Sequence, residues 1–211
     1  MKNGDYVDEE IILFQKNRWK RKIKYDLLTD EIPVCGKRLR FQWFSIFDGK
    51  FRILLPEDFV HMPEQIARVK YICSYRPPII FTSPGYDENF GFHLLENEEA
   101  DLDKLLGQMQ KALLLGAPET IIYEKGSFAP LKMEGRWFEY KNFTLDEETY
   151  NMQFLIYAEG ERTDYSRVES KKQSGNLLVG TFNCRMAFYD QWKPLVLKIL
   201  EQIEGAENES R

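Results

Sequence analysis

The clearest alternation of apolar and polar residues lies near the end of the chain. From Leu178 to Phe188 every second residue is apolar or small, namely Leu178, Gly180, Phe182, Cys184, Met186 and Phe188. A period of two predicts a β-strand with one buried face. The spacing then becomes helical, with one apolar stripe formed by Trp192, Leu195, Val196, Ile199, Leu200 and Ile203. A strand that continues into an amphipathic helix predicts a sheet with a helix packed on it.

Two residues define the expected start of this last helix. Asp190 is suited to cap its first turn, and Pro194 is tolerated there because a first-turn N–H has no helical partner. After the helix, Gly205 to Arg211 reads as a frayed, disordered acidic tail.

Shorter patterns predict the remaining elements. Phe41 to Leu55 reads as a hairpin around Asp48-Gly49, and Asp101 is expected to open a helix that Gly116 ends. A short helix is expected near residues 64–69. Further strands are predicted at residues 79–82, 90–94, 121–124, 136–143 and 150–158. Strands joined by hairpins, with few helices, predict an α+β fold with a largely antiparallel sheet.

Composition narrows the range of partners. The 211 residues carry a formal net charge of −5, which argues against general nucleic-acid binding. No apolar run approaches the roughly 20 residues of a membrane helix, so no membrane insertion is expected. The polar, acidic N-terminus has no signal-peptide pattern, which predicts a cytoplasmic protein.

The reactive side chains do not form a recognisable catalytic motif. The three cysteines are odd in number and far apart, which argues against a disulfide framework and against zinc spacing. A Cys184–His93 pair is the one nucleophile and base that the sequence leaves open, although Cys184 falls in the buried register of its strand. Phosphate-binding glycine loops and metal-ligand spacings are absent from the sequence. We therefore predict no catalytic residue, no cofactor and no metal.

Residues 1–38 contain a basic segment with interleaved aromatic residues. Two interpretations stay open: lysines that protect a sheet edge from pairing, or a positive patch that binds an acidic partner. Trp137, on the opposite face of its strand from Phe138 and Tyr140, is either an interface anchor or part of the core. The candidate partner-binding residues are Arg18, Trp19, Lys20, Arg21, Lys22, Lys24 and Trp137.

The order of three motifs resembles the PsbP-like family, which shares an α/β/α sandwich with the eukaryotic Ran-release factors and has bacterial cytoplasmic members. The first motif is the strand Phe51 to Phe59 with its Leu-Pro ending, and the second is Lys70-Tyr71 with Arg76-Pro77 before a strand. The third is Gly180 to Cys184, followed by the Trp192 helix. The resemblance implies an antiparallel sheet of about five to seven strands between helices, and no enzymatic activity.

The expected organisation has three parts. Residues 1–38 form an N-terminal extension that can pair with the sheet, residues 39–204 form the PsbP-like sandwich, and residues 205–211 form the tail. We predict a non-catalytic adaptor or accessory protein that binds a protein partner, as a monomer or weak homodimer. The alternative is a cytoplasmic carrier or chaperone for an apolar protein segment or small apolar ligand, with residues 159–175 as a lid. An unrecognised hydrolase ranks third.

Overall fold

The computed structural model describes residues 24–72, 76–97, 101–131, 133–144, 147–158 and 175–205. In these ranges the strands are β1 (Ile32–Val34), β2 (Lys37–Leu39), β3 (Phe41–Ile46), β4 (Phe51–Pro56), β5 (Val60–His61), β6 (Ile79–Thr82), β7 (Asn89–Asn97), β8 (Ile121–Phe128), β9 (Glu134–Thr144), β10 (Glu147–Ala158), β11 (Gly175–Arg185) and β12 (Glu204–Gly205). The helices are α1 (Glu64–Lys70), α2 (Leu102–Gly116) and α3 (Tyr189–Glu201), and a short 3₁₀ helix (Met186–Phe188) precedes α3.

A seven-stranded sheet forms the centre of the molecule, with strand order β5-β6-β7-β11-β10-β9-β8. Every pairing in it is antiparallel. The long central strands β10 and β11 pair over ten residues, from Thr149 opposite Arg185 to Ala158 opposite Asn176. The α+β class and the antiparallel sheet predicted from the sequence are thus confirmed.

One face of this sheet packs against α3. Leu178, Phe182 and Cys184 of the alternating set are buried in this core, and so are the six residues of the predicted helical stripe. The predicted strand is too long, because Met186 and Phe188 lie in the 3₁₀ helix and are only partly buried. Phe182 is fully buried, with its ring centre 5.3 Å from that of Trp192. A three-stranded sheet, ordered β12-β4-β3, contributes Phe51, Ile53 and Leu55 to the same core. The opposite face carries α2, whose Leu102 and Leu106 pack on Phe138, Leu155 and Leu177. Helices on both faces give the sandwich.

The β3–β4 hairpin turn contains the Asp48-Gly49 pair predicted from the sequence. Asp48 and Gly49 have φ values of 54° and 86° in the β3–β4 hairpin, where the Lys50 amide donates to the Phe47 carbonyl at 3.1 Å. Asp101 caps α2 as predicted, because its carboxylate accepts a hydrogen bond of 2.9 Å from the Lys104 amide.

Several boundaries differ from the prediction. The 3₁₀ helix places the start of α3 at Tyr189, so Asp190 lies inside its first turn and Pro194 lies beyond that turn. Gly205 is not part of a tail, because it pairs with Phe51 in β12–β4. β8 extends to Phe128, four residues past its predicted end. Residues 206–211 and 159–174, the rest of the expected tail and nearly all of the expected lid, lie outside the described residues. None of the helices described is long and apolar enough to cross a membrane.

Candidate functional site

The predicted partner-binding residues do not come together in the part of the chain that the structure describes. Arg18, Trp19, Lys20, Arg21 and Lys22 lie outside it, and Lys24 is exposed at its first residue. Trp137 does not lie at the surface, as an interface anchor would, because the residue is only 5% exposed. Its indole lies across Gly126 and packs in the core beneath α3. A partner therefore cannot use Trp137 as an interface anchor without opening the fold.

The one pair considered as a nucleophile and base is separated by the sheet itself. Cys184 belongs to the core under α3, as do Phe92 and Leu94 of β7. His93 lies between those two residues, so strand alternation directs it to the other face. Burial raises the pKa of the Cys184 thiol well above its usual value, which disfavours the thiolate. Cys184 and His93 cannot act together in this fold.

The space between the sheet and α3 is filled by side chains. Phe90, Phe92 and Phe154 are fully buried there, and Phe90 lies 4.7 Å from Phe182 between ring centres. A small pocket opens at the start of α3, lined in part by Cys35, Glu88 and Trp192. Burial raises the pKa of the Cys35 thiol, and nearby Glu88 raises it further. The pocket therefore lacks an activated thiol, and the filled interior disfavours a carrier for apolar segments at this position.

A buried ionic cluster lies beneath α3. Lys193 donates to Glu139 at 2.7 Å and to Glu124 at 3.0 Å, and the Tyr150 hydroxyl donates to Glu139 at 2.7 Å. The side chains of Lys193 and Glu139 are only 3% and 4% exposed. Burial raises the pKa of Glu139, while the Lys193 ammonium acts in the opposite direction. The cluster connects α3 to β9 and to β8, and it therefore helps to hold β8, the edge strand of the sheet, in place.

An apolar patch lies at the far end of the same strands, and we call it the edge patch: Ile121, Tyr123, Lys141 and Phe143. Ile121, Tyr123 and Phe143 are 47%, 48% and 50% exposed. Ile121 is the cross-strand partner of Lys141, whose amine lies 5.3 Å from the centre of the Phe143 ring. Burial raises the pKa of the Tyr123 hydroxyl, and the charge of the Lys141 ammonium lowers it.

The patch is fixed by its own contacts. Lys141 also pairs with Glu148 at 2.8 Å, and its side chain is only 16% exposed between its apolar neighbours. Alternation along β9 puts Lys141 and Phe143 on the face of Trp137, which is the α3 side of the sheet. Sequence analysis missed this patch. The signal available was the aromatic Phe143 at the end of one predicted strand and Tyr123 in another.

The two edges of the seven-stranded sheet differ in length. β5, at one edge, has two residues, whereas β8, at the other, has eight. No strand in the described ranges pairs with the outer side of β8. Short edges resist pairing with other chains, and long ones invite it. The edge patch therefore lies beside the sheet edge that no strand in the described ranges covers.

A second feature that sequence analysis missed is a row of polar side chains on the α2 side of the sheet. The Thr82 hydroxyl donates to Asn89 at 2.6 Å, the Asn89 amide donates to Asn183 at 2.8 Å, and the Asn183 amide donates to Tyr71 at 3.0 Å. Thr82 and Asn89 are fully buried. Because each buried group is paired, the row fixes the register of β6, β7 and β11 and positions Tyr71 next to α1.

The architecture defines a class of α+β sandwich in which one antiparallel sheet lies between helices. No family model matches the chain, and no curated protein matches its sequence. Solved structures do match its fold. The cyanobacterial PsbP protein CyanoP of Synechocystis is 10% identical, with a TM-score of 0.54 over 84% of this chain and 99% of that one.

A second solved structure has a comparable sequence identity and TM-score to this chain. LpqN, involved in cell envelope biogenesis of Mycobacterium tuberculosis, is 11% identical, with a TM-score of 0.51 over 82% of this chain and 95% of that one. The Ran-binding protein Mog1p of Saccharomyces cerevisiae is 10% identical, with a TM-score of 0.48 over 79% of this chain and 96% of that one. The predicted PsbP-like resemblance is confirmed as a likeness of fold.

Proposed function

We propose that this protein is a non-catalytic adaptor or accessory protein that binds a protein partner at the edge patch. The observation that carries the proposal is the exposure of Ile121, Tyr123 and Phe143 on the neighbouring strands β8 and β9, around the cross-strand pair of Ile121 and Lys141. Exposed aromatic residues on a fixed backbone are typical anchors of protein interfaces, because they bury a large area at a small entropic cost. Interfaces commonly have a polar rim around such anchors, and the Lys141–Glu148 ion pair provides polar groups here.

The fold around the patch supports binding without chemistry. The ionic cluster and the core beneath α3 are shielded from substrate, since Lys193, Glu139 and Tyr150 are buried and bonded to one another. A partner that docks at the patch meets strands already held by these contacts. Binding to a preformed surface avoids the free energy of ordering it.

Affinity capture with matched variants tests this function. The full chain carrying Tyr123→Ser and Phe143→Ser should capture at least ten-fold less of the partner from its own cell extract than the natural chain does. Leu131→Ser is the control, because Leu131 is 70% exposed in the turn at the other end of the same β8–β9 hairpin. Equal capture by both variants, with circular dichroism showing both folded, would refute binding at the patch.

A further inference from the structure

We infer that the partner binds as an extended peptide segment that adds one strand to the outer side of β8. This rests on the proposed function and specifies how the partner occupies the same site. The first support is the asymmetry of the sheet, whose other edge strand has only two residues. An extended segment of about six to eight residues matches the length of β8 and can pair with its main chain.

The state of β8 supports strand addition. Glu124, near its middle, accepts a hydrogen bond of 3.0 Å from Lys193 of α3, and this contact helps to hold the strand in position. Its side chains alternate between exposed and half-buried along all eight residues. A strand that is held at its inner side, and that no strand in the described ranges covers at its outer side, is a template for a further strand. An irregularity between Ile122 and Glu124 divides the inner ladder with β9 into residues 121–122 and 124–128.

The side chains of β8 define the chemistry of the segment. Ile121 and Phe128 lie on the α3 side, because their partners Lys141 and Gly135 share a face with Trp137. Lys125 lies on the α2 side opposite Phe138 and is exposed, with no ion pair to any residue in the described ranges. Neighbouring strands place residues of the same face next to each other. The segment should therefore present apolar residues toward the α3 side and an acidic residue toward Lys125.

A peptide selected against the full chain tests the mode of binding. The probe is a displayed library of random twelve-residue peptides, and the selected peptides should alternate apolar residues with at least one Asp or Glu. N-methylation of alternate amides removes the hydrogen bonds on one side of an extended strand. Methylating the set that faces β8 should weaken binding at least ten-fold, and methylating the other set should leave it unchanged.

Charge reversal at Lys125 tests the expected contact with an acidic residue. Lys125→Glu should lower the affinity for the acidic peptide at least ten-fold. It should raise the affinity for the same peptide with its acidic residue changed to Lys. Equal effects of the two methylated sets, no dependence on Lys125, or failure to select any peptide that competes at the patch would overturn strand addition. Amide protection of β8 that rises with protein concentration alone would also overturn it, since a second copy would then occupy the edge.

These outcomes are separable from those of the proposed function. Capture that depends on Tyr123 and Phe143, together with equal weakening of the selected peptide by the two methylated sets, would keep the function and reject the strand. Loss of both effects would reject both.

Discussion

At the scale of single residues, the most consequential group is the buried Lys193 ammonium. We predict that Lys193→Met destabilises the protein by about 3–5 kcal/mol, because it leaves Glu139 buried without its cation. The double variant Lys193→Met, Glu139→Gln should recover part of this loss, since a neutral amide costs less to bury than a carboxylate. Urea denaturation measures both values. Equal stability of the single and double variants would contradict a charge compensation at this site.

The raised pKa of Glu139 predicts a pH dependence of stability. A carboxyl whose pKa is higher in the folded than in the unfolded state binds more protons when folded, so its contribution to stability falls as the pH rises between the two pKa values. The unfolding free energy of Glu139→Gln minus that of the natural chain should therefore rise as the pH rises above the ordinary pKa of glutamate. It should level off above the pKa of Glu139 in the folded state. Denaturation curves at a series of pH values measure it. A difference independent of pH would contradict the assignment.

Residue-scale prediction from the sequence was uneven for a physical reason. Cys184 was placed correctly in the core, because its strand alternates strictly. Trp137 was placed on the correct face, but a single strand does not reveal that α3 covers that face. Lys193 adjoins the apolar stripe of α3, and this position was the available signal for a buried charge; its partners Glu139 and Glu124 come from strands far away in sequence.

At the scale of elements, β10 and β11 approach each other most closely at Gly180. An added Cβ at Gly180 would lie 2.0 Å from the ring of its cross-strand partner Phe154. We predict that Gly180→Ala destabilises the protein by about 1–3 kcal/mol through overpacking. Adding Phe154→Leu should cost less in that background than alone, because the smaller side chain relieves the clash. Thermal or urea unfolding measures this coupling, and strictly additive effects would contradict it.

The existence of an element was predictable where its pattern was local, although its ends were not always so. The residues of α3 and β11 carry enough apolar repeats to define both elements, and Asp101 and Gly116 mark α2. β8 was predicted too short because Lys125, Gly126 and Ser127 have little strand preference of their own. Those residues are held as a strand by pairing with β9. Gly205 was missed for the same reason, since its strand exists only through β4.

At the scale of the whole molecule, the fold and the candidate site differ in how far sequence could predict them. The sandwich follows from alternating strands and amphipathic helices, which each segment encodes locally. The edge patch depends on strand order, because only that order shows that β8 has no described neighbour on its outer side. The basic segment of residues 18–24, the other predicted site, stays a prediction.

We propose that a protein partner occupies the edge patch and the outer side of β8, which no strand in the described ranges covers. Hydrogen–deuterium exchange of the full chain, with and without its captured partner, tests this claim most directly. We predict slower exchange in the complex at residues 121–128 and 141–143, with the β3–β4 hairpin unchanged. Protection confined to other segments, with residues 121–128 exchanging as in the free protein, would contradict it.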